Sequence, residues 1–137
     1  EAEAEAEAEA VMPNQHVGRR ILVVEDNPEI LSACQRALEF HGFQVVTALN
    51  GRDAIARLSE ELPFDLLFSD IVLPGNMSGI DVQREAHLLQ PTIKSILTSG
   101  YASVDVVNQL EVKKSDILHK PYSQKDLLDR IGAALAS

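Results

Sequence analysis

Apolar residues in this chain fall into two alternating rhythms. Short unbroken runs at Ile21-Leu22-Val23-Val24, residues 43–49, Leu66-Leu67-Phe68, residues 93–98 and Ile117-Leu118-His119 read as strands covered on both faces, which need not alternate with polar positions. Between them the apolar residues return every three or four positions, as an amphipathic helix requires. Ile30, Leu31, Cys34, Ala37 and Leu38 share one helical face, and Ala54, Ile55, Leu58 and Leu62 a second. Val82, Ala86 and Leu89 align on a third helix opening near Ile80, and Leu127, Leu128, Ile131 and Leu135 on the last. A weaker pattern over residues 103–112 predicts one more helix before the final strand.

The boundaries carry their own signals. Asn27 is placed to cap the first helix, with Pro28 at its first position and Glu29 in its first turn, and His41-Gly42 stops it. His41 then sits where a positive charge is favourable, at a helix C-terminus. Asn50-Gly51 reads as a turn, Pro63 and Pro91 close the second and third helices, and Ser123 with Asp126 three on resembles a capping box. Cys34 reads as a core residue and Tyr122 as packing. Five strands alternating with five helices make an α/β fold around a parallel sheet, because parallel neighbours require crossovers.

Residues 1–10 are Glu-Ala five times over, a repeat that cannot specify a core, and are set aside as the scar of an expression leader. Residues 11–19 form a short polar lead-in, and residues 20–137 suit one domain. The net charge of −9 is mostly the repeat's: without its five glutamates, 16 acids face 12 bases, a net of −4. The longest apolar runs fall well short of the roughly 18 residues a bilayer span needs, so no membrane segment is expected. A lone cysteine with no signal peptide in view fits a reducing compartment, hence a cytoplasmic protein. Paired bases occur only at Arg19-Arg20 and Lys113-Lys114, without interleaved aromatics, so direct nucleic-acid binding is not expected.

In an α/β sheet, ligands gather at the carboxyl ends of the strands. Here the first strand ends in Glu25-Asp26, the third in Asp70, the fourth in Thr98 and the fifth in Lys120. Three carboxylates held together repel one another unless a cation offsets them, and hard oxygen donors suit Mg2+. The four histidines, His16, His41, His87 and His119, are scattered and form no zinc spacing. A carboxylate can attack phosphorus to give an acyl phosphate when a metal and a cation absorb the charge, and Asp70, a divalent ion and Lys120 are such a set. Thr98 is then placed to hydrogen-bond the phosphoryl group and draw its loop inward.

At these residues the chain resembles a response-regulator receiver domain, over about residues 17–137. The shared motifs are Ile-Leu-Val-Val-Glu-Asp-Asn at 21–27, Asp-Leu-Leu-Phe-Ser-Asp-Ile-Val-Leu-Pro-Gly at 65–75, Ile-Leu-Thr-Ser-Gly-Tyr at 96–101 and His-Lys-Pro-Tyr at 119–122. The resemblance implies a flavodoxin-like doubly wound sheet in strand order 2-1-3-4-5. It implies phosphorylation of Asp70 by a histidine kinase or phosphotransfer protein. Magnesium would be held by Asp26, Asp70 and the carbonyl of Val72, with Glu25 acting through water. It further implies Lys120 on the phosphoryl group, a cis bond before Pro121 and Thr98 as switch hydroxyl. The domain would be a phosphoacceptor that assists its own phosphorylation and dephosphorylation, not a conventional enzyme.

Three departures from the family stand out. The position three before the lysine, commonly aromatic, is Ile117, which counts against a ring-flip switch. Tyr101, three after Thr98, either takes part of that role or simply packs. The loop from Asp70 to Gly79 is one residue longer than the common form, with Asn76 as the insertion; Asn76-Met77-Ser78 also spells a glycosylation sequon, without meaning in a cytoplasmic protein.

Rival readings differ in chemistry. An aspartate-nucleophile phosphatase would carry an acid two after the nucleophile, where this chain has Val72. A flavin or nucleotide binder would not place Glu-Asp-Asn-Pro after its first strand. A phosphorylation-independent interaction module would not need the full set of acids, threonine and lysine. The choice between a stand-alone phosphorelay protein and a receiver domain of a hybrid histidine kinase stays open, as does a homodimer through the face of the fourth and fifth helices.

Overall fold

The apolar runs become strands whose two faces are both covered. The computed structural model describes residues 16–61, 63–100 and 117–136. Strand β1 spans Arg20–Val24, β2 Gln44–Ala48, β3 Leu66–Asp70, β4 Lys94–Ser99 and β5 Ile117–His119. All neighbours pair in parallel, in the order β2-β1-β3-β4-β5. This is the expected flavodoxin-like sheet. Four helices stand among the described residues: α1 Pro28–Phe40, α2 Gly51–Glu61, α3 Gly79–Leu89 and α4 Gln124–Ala136. The helix expected over residues 103–112 lies outside them, as do Tyr101, Leu62, the Glu-Ala repeat and residues 11–15 of the lead-in.

Side chains alternate across a strand, so each strand feeds two cores. Ile21, Val23, Leu66 and Phe68 pack against Leu31, Cys34 and Leu38 of α1 and against Leu127, Ile131 and Leu135 of α4. On the other face Leu22, Val24 and Leu67 meet Ala54 and Leu58 of α2 and Val82 and Ala86 of α3. Each fully buried leucine or isoleucine contributes roughly 1.5–3 kcal/mol, so these two layers dominate stability.

Several sequence expectations are corrected at helix ends. Ile30 and Leu89, assigned to inner faces, are 43% and 42% exposed. Ile30 lies one residue, about 100° of helix, from Leu31. Leu89 ends the last turn of α3, beyond the reach of the sheet. Asn50-Gly51 is not a free turn: the Asn50 carbonyl accepts from the Ala54 amide at 3.0 Å and its side-chain oxygen from the Asp53 amide at 2.8 Å. Asn50 thus caps α2. The box at Ser123 and Asp126 is present, with the Asp126 amide donating to Ser123 Oγ at 3.0 Å and the Ser123 amide to Asp126 Oδ2 at 3.3 Å. A second box, not anticipated from the sequence, joins Ser78 and Asp81 at the start of α3. His41 is the C-cap of α1, but burial pushes its imidazole below the ordinary range and leaves Nδ1 buried without a partner.

The amino-terminal edge of the sheet is a closed polar knot. The Arg20 guanidinium donates to the carbonyls of Glu61 and Pro63 and lies 4.5 Å over the Phe64 ring, while its amide donates to Asp65 Oδ2 at 2.8 Å. Beyond α3, the Gln90 side-chain amide pairs with Phe64 in both directions, accepting from its amide at 2.9 Å and donating to its carbonyl at 2.6 Å.

Candidate functional site

The parallel register decides which side chains meet at the opposite edge. Val24 stands beside Ser69, and Asp70 beside Thr98, so the ends of β1, β3 and β4 each come within one residue of the neighbouring strand's end. Glu25 and Asp26 follow β1 directly. Asn27 then turns the chain: its side-chain oxygen accepts from the amides of Glu29 at 2.9 Å and Ile30 at 3.2 Å, and its own amide donates to Glu25 Oε2 at 3.0 Å. One residue thereby starts α1 and holds a carboxylate.

Oxygens of Glu25, Asp26 and Asp70 lie within 4.8 Å of one another. Glu25 is buried, Asp26 exposed and Asp70 intermediate. Lys120 enters from the loop after β5 and donates from Nζ to Asp70 Oδ2 at 2.8 Å. The Val72 amide donates to Asp70 Oδ1 at 3.4 Å. The Lys120–Pro121 bond is cis.

The electrostatics follow from this crowding. Burial raises the Glu25 carboxyl above its ordinary range and Asp70 adds to the rise, while the Asn27 amide and Lys120 oppose it. Burial alone would lower Lys120, but the hydrogen bond and charge of Asp70, reinforced by Glu25 and Asp26, outweigh it and hold the ammonium above its ordinary range. The site is short of positive charge.

The remaining candidates have clear positions. Thr98 is 2% exposed at the end of β4. Ile117 is buried with Ile71, Ile80 and Leu97. Val72 is half exposed just past β3, and His119 is exposed. Asn76 lines an open groove of about 420 Å³ with Asn50, Arg52, Pro74, Gly75 and Met77, beside the start of α2.

Two contributors were missed in the sequence. Gly79, the first residue of α3, packs so closely that a β-carbon there would stand 2.1 Å from the Asp70 carbonyl oxygen. Its amide donates to the Ile71 carbonyl at 2.8 Å. Ser69 Oγ donates to the same Asp70 carbonyl at 2.9 Å. The only sequence signal near Gly79 is the Ser-x-x-Asp box that opens its helix.

Comparison with known proteins agrees with this arrangement. Residues 21–132 match the family model described as response regulator receiver domain. The chain is 36% identical over 114 residues to the response regulator receiver protein CpdR of Brucella abortus (strain 2308), covering 82% of this chain and 93% of CpdR. It is 34% identical over 116 residues to the transcriptional regulatory protein CpxR of Klebsiella pneumoniae subsp. pneumoniae (strain HS11286). That match covers 85% of this chain but 49% of CpxR, so the chain spans about half the length of this relative. The crystal structure of a CheY-like response regulator receiver domain protein from Methanospirillum hungatei JF-1 superposes with a TM-score of 0.77 at 35% identity, over 87% of this chain and 94% of that one. Fold, site and relatives converge: the chain belongs to the response regulator receiver domains of two-component signalling.

Proposed function

We propose that this receiver domain takes a phosphoryl group from the phosphohistidine of a histidine kinase or phosphotransfer protein onto Asp70, and changes its interaction surface in response. The observation that carries the reading is the meeting of three carboxylates with the Lys120 ammonium on Asp70. The donor set suits magnesium, since every ligand on offer is a hard oxygen and three carboxylates face a single ammonium. Asp26, Asp70 and the Val72 carbonyl would hold the ion, with Glu25 through water. Bound there, magnesium would neutralise charge on the transferring phosphoryl oxygens.

The protein's own part is positioning and charge. An Asp70 carboxylate oxygen attacks phosphorus, a P–O bond forms, and the P–N bond breaks with its electron pair leaving on the donor imidazole. Lys120 moves from the carboxylate to a phosphoryl oxygen. The Thr98 hydroxyl hydrogen-bonds another and draws its loop inward, altering the surface around α4 and the helix expected over residues 103–112. Ile117 sits in a packed apolar cluster, so the reading needs no aromatic flip at that position.

We place the domain in the cytoplasm, on the ground of its lone cysteine, Cys34, which suits a reducing compartment. Residues 20–137 make no direct nucleic-acid contact in this reading, since their bases are not clustered with aromatics.

Intact mass after incubation with acetyl phosphate, with and without magnesium, tests it. Magnesium-dependent addition of one phosphoryl group, abolished in Asp70→Asn, is expected. Equal addition in that variant would remove Asp70 from the role, and multiple turnover of a phosphomonoester would favour a phosphatase.

A further inference from the structure

Lys120 reaches Asp70 from a short connection: β5 ends at His119 and α4 begins at Gln124. A lysine is a flexible arm, so its ammonium is delivered to one carboxylate oxygen reproducibly only if the main chain at its base is held. On one side that base is tied by the Lys120 amide, which donates to the Ser99 carbonyl at 2.8 Å. On the other side Tyr122 turns into the interior. Its ring stands edge-on to Phe68, with centroids 6.1 Å apart and planes at 80°. Its hydroxyl meets the Cys34 thiol, oxygen to sulfur 3.8 Å. Phe68 precedes Asp70 by two residues on β3, so both side chains leave the strand on the same face. Cys34 lies on α1, the helix whose cap holds Glu25.

The base of the Lys120 arm is therefore coupled both to the strand carrying Asp70 and to the helix flanking the acids. We infer that Tyr122 is a positioning residue for phosphoryl transfer, acting through Lys120: its ring on Phe68 and its hydroxyl at Cys34 set the connection from which Lys120 reaches Asp70. This rests on Asp70 being the phosphoacceptor. Buried on α1 and engaged by a phenol, Cys34 has its thiol pushed up mainly by burial, which suits a packing partner better than a nucleophile.

Two measurements on the full chain separate this role from general packing. The first is the rate of phosphorylation by acetyl phosphate in a double-mutant cycle. Tyr122→Leu is expected to lower the rate about tenfold, as small misplacements of catalytic groups do. In a Lys120→Ala background it should lower the rate less than about twofold, because effects of residues acting through one another do not add. Tyr122→Phe, which keeps the ring on Phe68, should restore most of the rate, and magnesium affinity by calorimetry should be unchanged in Tyr122→Leu and Tyr122→Phe.

The second measurement needs no phosphorylation. Amide hydrogen exchange at Lys120 should quicken about tenfold in Tyr122→Leu while the amides of β1 keep their protection, since local opening is separable from global unfolding. Unchanged exchange at Lys120 overturns the proposal. So does an undiminished effect of Tyr122→Leu without Lys120, or a parallel loss of magnesium binding. If the parent chain takes no phosphoryl group, the assignment of Asp70 fails on its own and the exchange result alone decides whether Tyr122 positions Lys120.

Discussion

The two edges of the sheet are built from similar residue types and solve opposite problems. At the amino-terminal edge Arg20, Glu61, Asp65 and Gln90 exchange hydrogen bonds with one another's segments, and Phe64 is covered by a cation on its face and an amide pair on its backbone. At the carboxyl-terminal edge three acids crowd together with Lys120 on one of them, and the buried Glu25 resists ionisation. One edge spends its polar groups on stability. The other keeps an excess of negative charge that a bound cation can relieve. The same fold thus separates what holds it together from what it does.

The sharpest way to break this separation is Gly79→Ala, because Gly79 belongs to both functions. A methyl group 2.1 Å from the Asp70 carbonyl cannot be accommodated without moving β3 or α3. The expected cost is about 3–4 kcal/mol in urea unfolding, together with slowed phosphorylation. Gln90→Ala should disturb the quiet edge alone. It strands the Phe64 amide and carbonyl, at about 2–3 kcal/mol, while the phosphorylation rate of the folded protein stays within about twofold of the parent. Loss of phosphorylation in Gln90→Ala under conditions where it is folded would erase the distinction between edges.

The smallest effect sharpens the contrast by pH. Glu25 has a folded-state pKa above the ordinary 4.5, so its contribution is fully favourable below that value and is lost as pH rises through the raised one. Glu25→Gln should therefore stabilise the metal-free chain at neutral pH, by on the order of 1 kcal/mol, and the advantage should vanish in acid. Its amide oxygen can still accept from the Asn27 amide. Thermal midpoints at pH 7 and pH 4 without divalent ions check this; a destabilised Glu25→Gln at pH 7 would mean the carboxylate is already compensated.

Much of this was legible because it is local. Apolar runs betrayed the strands, and acids at their ends pointed to the site edge, since a parallel sheet gathers its strand termini. What stayed hidden depends on contacts between distant residues or on the handedness of single turns. Gln90 has no pattern in sequence that announces a pairing with Phe64. Gly79 looks like any loop glycine until α3 is laid against β3. Asn50-Gly51 has the letters of a turn, and only the reach of the Asn50 side chain to the Asp53 amide makes it a cap. The place of His41 at the end of α1 was legible and its burial was not, because helix position is written in the sequence and burial is not.

Glu25, Asp70 and Thr98 are set at or immediately after strand ends, not within the connecting loops, and their spacing comes from strand register. Between Val72, whose amide donates to Asp70, and Ser78, which caps α3, the exposed residues Pro74, Gly75 and Asn76 are therefore free to vary as an interchangeable collar. Exchanging that collar with another receiver's would reshape the rim of the site while leaving the reacting groups in place.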